Sequence, residues 1–521
     1  MWRVKSLDAI LATAEKKSLH RSLGPVQLTL LGIGGIIGTG IFVLTAEAAQ
    51  KAGPGMMLSF VIAGAVCAVA ALCYAELASM VPVAGSAYTY SYAVLGEFFA
   101  WLVGWALILE YAVAASAVAV GWSGYVVGLL EHLLHIDIPD MLTAGPYAGG
   151  IVNLPAVLIS LLVTWLLVMG TKESATVNGF LVAIKITALA AFIFLAVPVM
   201  KMENFHPFAP LATAGIIGAG ASIFFAYVGF DAVSTAAEET RNPQVNVPIG
   251  LIGSLVICTI FYLLVAAGAI GSYGAQPVFG LAGEVLSPGS VELAARCKDL
   301  TAAGGMPLVC SKEALAHVLR EIGHPAIGNL LGLAAGLALP SVILMMIYGQ
   351  TRIFFVMSRD GLLPSVLSKV HPKYKTPHIV TMVTGGIVLV AAAFFPVGKL
   401  ADISNSGTLF AFLMVAIAVM MLRIKDPGRK RPFKTPFVWV VAPLAIIGCL
   451  VLFMFLPPMA KWLLPIWAAI GLVFYFAYGF RKSHVGRGLR GEVHELDEDA
   501  PGTGVAPMPG APAPGSPEER S

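Results

Sequence analysis

Long apolar runs dominate this chain, with short polar connections between them. Each run approaches the roughly 20 residues that a helix needs to cross the hydrocarbon core of a bilayer. Twelve are predicted, over 26–49, 56–80, 98–128, 152–170, 178–200, 214–236, 249–271, 326–348, 379–395, 405–423, 436–456 and 462–480. The first does not read as a plain helix. Leu31–Phe42 is Leu-Gly-Ile-Gly-Gly-Ile-Ile-Gly-Thr-Gly-Ile-Phe, with glycine at 32, 34, 35, 38 and 40. Each glycine costs up to about 1 kcal/mol against alanine inside a helix. Two readings follow. Gly34 and Gly38 form a Gly-x-x-x-Gly pair of the kind that lets membrane helices pack closely. Alternatively the helix breaks, which is tolerated only where protein or a wet cavity satisfies the freed backbone groups. Such breaks are how secondary transporters build substrate sites near the midplane.

The sixth run sharpens the choice. Gly218-Ala-Gly-Ala-Ser-Ile-Phe-Phe-Ala-Tyr-Val-Gly-Phe-Asp231 again mixes small residues and glycine with an acid, five runs after the first. That separation is expected if two five-helix halves repeat with inverted topology. Two further charges lie deep in apolar surroundings: Glu110, some twelve residues into the third run, and Lys185, about seven into the fifth. A carboxylate at the bilayer centre costs about 2.5–3.5 kcal/mol on insertion scales, so Glu110 must face the bundle interior. There it serves either as a protonated acid bonded to a neighbouring helix or as a binding or proton-relay group. Lys185 either snorkels to the surface along its stem or places its ammonium in a cavity, where burial makes it a proton carrier. Runs nine to twelve read as uniformly apolar scaffold or an oligomer surface.

Composition agrees with the pattern. Of 521 residues 58% are hydrophobic and 12% charged, against about 25% charged in soluble domains; mean hydropathy is +0.85. The fold class expected is an all-α polytopic membrane protein of about 12 transmembrane helices. Its core is a 5+5 inverted repeat with helices 1 and 6 broken, followed by two C-terminal helices. Basic residues collect in the arm before the first run (Arg3, Lys5, Lys16, Lys17, Arg21), after the eighth (Arg352, Arg359, Lys369, Lys373, Lys375), after the tenth (Arg423, Lys425, Arg429, Lys430, Arg431, Lys434) and at the start of the tail. By contrast, the connection from the third run to the fourth has Glu131, Asp137 and Asp140 without Lys or Arg. The positive-inside rule then places both termini in the cytoplasm. No cleavable signal peptide is visible. The expected organisation is an N-terminal arm over 1–22, a transmembrane domain over 23–482 and a disordered Pro-, Gly- and Ala-rich tail over 483–521.

Smaller features add detail. Cys297 and Cys310 share the loop 272–325, placed outside the cytoplasm, and form a candidate disulfide. Pro82–Tyr88 reads as a loop of turn formers. Glu131-His-Leu-Leu-His135 reads as a solvated loop: its order is not that of His-Glu-x-x-His and no third ligand is apparent. No metal and no cofactor are expected.

Several stretches together resemble the cationic amino acid transporter family of the amino acid–polyamine–organocation superfamily. They are Gly38-Thr-Gly-Ile-Phe-Val-Leu-Thr45, Pro82-Val-Ala-Gly-Ser-Ala-Tyr-Thr-Tyr90, Phe224-Phe-Ala-Tyr-Val-Gly-Phe-Asp-Ala-Val233, Met357-Ser-Arg-Asp-Gly-Leu-Leu-Pro364 and Gly407-Thr-Leu-Phe-Ala-Phe412. The resemblance runs from about Gly24 to Phe480 and implies alternating access. It also implies that Ile36 and its neighbours offer carbonyls to a substrate ammonium, and that Gly38, Thr39 and Gly40 present amides to its carboxylate. Phe225, Ala226 and Val228 would complete the backbone site from span six. Glu110 would face the substrate side chain, while Lys185 and Asp231 would serve proton coupling.

The physics is consistent with that implication. An α-amino acid is a zwitterion, and a broken helix supplies amide donors and a favourable dipole for its carboxylate beside bare carbonyls for its ammonium. The function expected is secondary active, proton-coupled import of cationic and small neutral amino acids. An obligate exchanger or a neutral amino acid permease is the alternative, and a channel or amino acid sensor the reading from another class. A membrane enzyme lacks its motif, since neither His-Glu-x-x-His nor Gly-x-Ser-x-Gly appears. The partners implied are the amino acid, protons and membrane lipid, in a cell membrane; nucleic acid is not among them, and a small single-span subunit is left open.

Overall fold

A computed structural model describes residues 23–81, 85–136, 138–170, 175–237, 240–374 and 376–488. The arm 1–22, the tail from 489, residues 82–84 and 171–174, Asp137, Glu238, Glu239 and Lys375 lie outside the described residues.

The described residues fold almost entirely into helices: α1 (Pro25–Ile36), α2 (Leu44–Ala52), α3 (Met56–Met80), α4 (Ser86–Val94), α5 (Glu97–Leu134), α6 (Leu154–Met169), α7 (Ala175–Ala196), α8 (Ala212–Ile223), α9 (Pro243–Tyr273), α10 (Val291–Ala302), α11 (Ala314–Glu321), α12 (Pro325–Arg359), α13 (His378–Phe394), α14 (Val397–Lys425), α15 (Val438–Phe455) and α16 (Pro458–Phe474). Eight helical stretches among them are long and apolar enough to cross a membrane, and four shorter apolar helices accompany them. Most are hydrophobic on every face, as expected of helices that meet either lipid or other helices all round. This is a polytopic membrane protein.

Local chemistry sets many of the ends. Pro25, Pro243, Pro325 and Pro458 start their helices, where the missing N–H costs nothing. The Asn153 side chain caps α6 by accepting from the Ala156 amide at 3.2 Å, and Gly170 ends that helix at φ +83.

Four boundaries differ from expectation. α12 continues to Arg359 through Tyr348–Arg352, read as connection, because the polar Gln350 is buried and donates to the Ile108 carbonyl at 3.0 Å. α5 continues through His132, read as solvated loop: His132 lies 3.7 Å from the Glu313 carboxylate, which Arg320 also holds. α14 begins at Val397 rather than 405, right after Pro396. The packed chain also passes Lys482, with Ser483 buried and its hydroxyl on the Glu97 carboxylate; the tail boundary at 483 is therefore early.

α5 is the most enclosed of the long helices, packed by α12, α14 and α4. α1 packs on α9 and α7, and α8 on α3 and α2. The segment 274–324 forms a small module with its own apolar cluster of Val278, Leu286 and Leu293, backed by Cys297, Leu300 and Cys310. Cys297 and Cys310 are disulfide-bonded across a Cα–Cα distance of 5.5 Å. Gln50, at the end of α2, ties this module down. Its amide donates to the carbonyls of Val278 (2.7 Å) and Leu286 (3.0 Å) and accepts from the Val278 N–H (2.8 Å).

Candidate functional site: two broken helices face to face

The first span is broken. Ile37 is the last amide to bond back into α1, on the Ile33 carbonyl at 2.8 Å; hydrogen bonding resumes when Phe42 reaches the Gly38 carbonyl at 3.4 Å, in the turn Thr39–Phe42. Among the described residues the amides of 38–41 find no backbone acceptor, so the start of the second half is an open donor end of the kind that receives anions. Gly38, Thr39 and Gly40 lie in it.

The sixth span breaks as well. α8 ends at Ile223, Phe224–Tyr227 tighten into a 3₁₀ turn, and the Val228 amide closes on the Phe225 carbonyl at 3.2 Å. Gly229 follows at φ +114, a conformation that suits glycine. The break expected within 214–236 is therefore present: beyond it, among the described residues, α-helix resumes at Ala232–Thr235.

The two breaks cross in direct contact. A Cβ on Gly40 would collide with the Ala226 Cα, and one on Gly229 would lie 2.7 Å from the Gly35 carbonyl oxygen. Backbones come this close only without side chains between them. Gly34 and Gly38, by contrast, do not share one partner helix. Gly34 faces Asn178 and Val182 of α7, whereas Gly38 faces Val342 of α12. The packing reading and the broken-helix reading therefore both hold, at different glycines.

Side chains complete the crossing. The Lys185 ammonium, 1% exposed, donates to the Gly34 carbonyl at 2.9 Å; it does not snorkel. The Thr39 side chain is buried against Gly121 of α5, with its hydroxyl unpaired among the described residues. Phe225, Ala226 and Val228 are all buried. Glu110 is buried too, its Oε2 without a hydrogen-bond partner among the described residues, while its backbone carbonyl accepts from Ser404 at 3.2 Å. Next to it in sequence, Tyr111 donates to Asp231 Oδ2 at 3.0 Å. Lys185 and Thr39 thus stand at the crossing, Asp231 follows two residues after Gly229 and takes the Tyr111 hydroxyl, and Glu110, beside Tyr111 on α5, lies against Gly407 of α14.

Three groups at the site escaped the sequence pattern. Tyr262 of α9 donates toward both the Ile36 carbonyl (2.8 Å) and the Ala226 carbonyl (2.9 Å), so one hydroxyl spans both breaks. An ionic cluster joins the far halves: Lys51 of α2 bonds Ser222 of α8 and pairs with Asp402 of α14 at 3.2 Å, and Ser222 bonds Asp402. Asn405 of α14 donates to the carbonyls of Ala221 (2.8 Å) and Ser222 (3.0 Å). α14 is therefore part of the site and not the uniformly apolar scaffold expected. A signal for it was present, because Asp402, Ser404 and Asn405 interrupt the apolar pattern around the predicted start at 405.

Comparison with known proteins agrees with this geometry. The family described as amino acid permease matches residues 23–476. The chain is 44% identical over 488 residues to the branched-chain amino acid permease BcaP of Bacillus subtilis, covering 93% of this chain and 98% of that one. It is 41% identical, at the same coverages, to the methylthioribose transporter of that organism. It is 30% identical to human cationic amino acid transporter 4, over 78% of this chain and 60% of that one. The crossed, glycine-broken helices and these similarities lead to one conclusion: this chain belongs to the amino acid permease family of the amino acid–polyamine–organocation superfamily.

Proposed function

We propose that the protein is a proton-coupled secondary transporter that imports cationic and small neutral L-amino acids by alternating access, with both termini in the cytoplasm. The observation that carries this reading is the crossing itself. Open amides at 38–41 and the carbonyls of Ile36 and Ala226 lie at one buried point, a matched pair of charge complements for a zwitterion. Thr39 and Gly40 take the carboxylate, and Ile36 with Phe225, Ala226 and Val228 takes the ammonium. Glu110 meets the side chain, while Lys185 and Asp231 handle the proton. Uptake of labelled amino acids into proteoliposomes tests this: accumulation that rises with an inward proton gradient is expected, and its absence with and without the gradient overturns the reading. Counterflow without net gradient-driven uptake would instead make the protein an exchanger.

A second reading of the substrate rests on the 44% identical relative, a branched-chain amino acid permease. It gives the same backbone site a neutral aliphatic side chain, with Glu110 no longer its partner. Thermal stabilisation by Leu, Ile or Val but not by Lys or Arg would select it.

A further inference from the structure

Away from the crossing, a cavity of about 590 Å³ opens on the membrane-facing wall between α5, α14, α15 and α16, lined by Trp105, Phe410, Phe453, Trp462 and Trp467 with Lys461 at its lip. Its size lies within the range of small-molecule pockets. The indole floor is built, not incidental. Trp101, Trp105 and Trp467 form a stack, with centroids 5.4 and 4.7 Å apart and rings 16° from parallel at each step. Each indole N–H is used across the helix interface: Trp105 donates to the Trp467 carbonyl (2.8 Å), Trp467 to that of Trp105 (2.7 Å) and Trp101 to that of Gly471 (3.0 Å). Gly471 admits the Trp105 ring, since a Cβ there would collide with Trp105 Cδ1. The floor is consequently rigid, flat and without spare donors, a surface for hydrocarbon.

Among the described residues Lys461 is the one cation lining the cavity, and no carboxylate pairs with it. It donates to the Met454 carbonyl at 3.1 Å, leaving two of its three donors. It sits in the first turn of α16, where the helix dipole disfavours a cation, so helix stability does not account for it. Trp467 lies six residues further along α16, roughly 9 Å deeper. Trp462, 69% exposed beside Lys461, has the position of a membrane-interface aromatic.

We infer that this cavity holds one anionic phospholipid, with its phosphate on Lys461 and an acyl chain laid over the tryptophan floor. The site backs onto the transport machinery. Ala106 lines the cavity. A methyl placed on Gly407 of α14 would lie 3.0 Å from the Ala106 carbonyl oxygen and 3.2 Å from the Glu110 Cβ, so Gly407 sits against both residues. An occupant therefore presses on the α5–α14 contact one layer behind Glu110. The binding claim itself is independent of which amino acid is carried.

Titration of the delipidated, detergent-purified protein with phosphatidylglycerol or phosphatidylcholine brominated in the acyl chain tests it through tryptophan fluorescence. Quenching by the anionic lipid should saturate at about fivefold lower mole fraction than by the zwitterionic one, the effect of one lysine near a headgroup whose phosphate charge no choline cancels. Lys461→Gln should erase that preference, Lys461→Arg should keep it, and inorganic phosphate should not displace the lipid. Ala468→Phe, which fills the cavity from α16, should reduce the saturable quenching. Equal quenching by both lipids in the wild type overturns the proposal. So does a dimer in solution that Ala468→Phe dissociates, which would make a second copy the occupant. Where Ala468→Phe does not fold, the surface variant Lys461→Gln decides alone.

Discussion

The Tyr262 hydroxyl lies 2.8 Å from the Ile36 carbonyl, and the same oxygen lies 2.9 Å from the carbonyl of Ala226. A phenol has one proton to donate, so it cannot satisfy both carbonyls fully at once. A substrate ammonium, with three donors, can.

Removing that hydroxyl leaves two buried acceptors short of a donor, at about 1–3 kcal/mol. Tyr262→Phe is expected to lower the Tm of the empty protein and to be partly rescued by saturating amino acid. A variant with an unchanged Tm, or a loss that amino acid does not offset, would show that Tyr262 does not stand in for the ammonium.

The cluster of Lys51, Ser222 and Asp402 fastens α2 and α8 to α14. Breaking a buried ion pair from one side costs about 3 kcal/mol, because the other charge stays behind. Asp402→Asn should therefore destabilise the protein by about that much, and the double variant Lys51→Met/Asp402→Leu by less. Additive losses in a thermal or denaturant cycle would contradict the coupling.

Glu110 offers a buried carboxylate oxygen, unpaired among the described residues. If it receives a cationic side chain, Lys and Arg should raise the Tm of the wild type, and Glu110→Gln should lose that response while keeping any response to Ala. Identical ligand profiles for the two proteins would move Glu110 out of the side-chain pocket.

The disulfide closes a sequence separation of 13 residues in the 274–324 module. Loops of this length are stabilised by about 3 kcal/mol when cross-linked. Cys297→Ser should loosen the module, seen as faster proteolysis within 274–324, with transport retained. Full alkylation of all six cysteines without reductant would show that the bond does not form.

Between the α5–α6 connection and α10, outside the membrane, Lys298 bonds Asp140 at 2.7 Å and holds its carboxyl below the ordinary carboxylate range. A depressed carboxylate contributes stability above its unfolded value and loses it as pH falls toward the folded one. Asp140→Asn should therefore flatten the fall in Tm below about pH 4 and change little at neutral pH. The pair is largely exposed, so its small effect should vanish near 1 M salt, where screening acts within about 3 Å.

Much of this was legible along the chain. Hydrophobic run length identified the spans, because a bilayer imposes one length on every crossing helix. Glycine clustering marked both breaks, because only glycine lets Gly40 meet Ala226 and Gly229 meet Gly35 at backbone distance. Buried charge flagged Glu110, Lys185 and Asp231, since each must find the bundle interior. Tyr262 carried no such signal: a tyrosine in an apolar helix reads as core until its hydroxyl has an address. Asp402 was lost to a boundary, since a helix start placed at 405 left it in a loop.

Local pattern was enough for a polytopic helical membrane protein with two interrupted helices and acids in its interior, because length, hydropathy and glycine content act within each segment. Which groups face one another is a property of the packed bundle. That Lys185 serves Gly34, that Tyr262 spans Ile36 and Ala226, and that Lys51 reaches Asp402 depends on helix rotation and crossing. Those are set by packing between elements far apart in the chain, which no local pattern encodes.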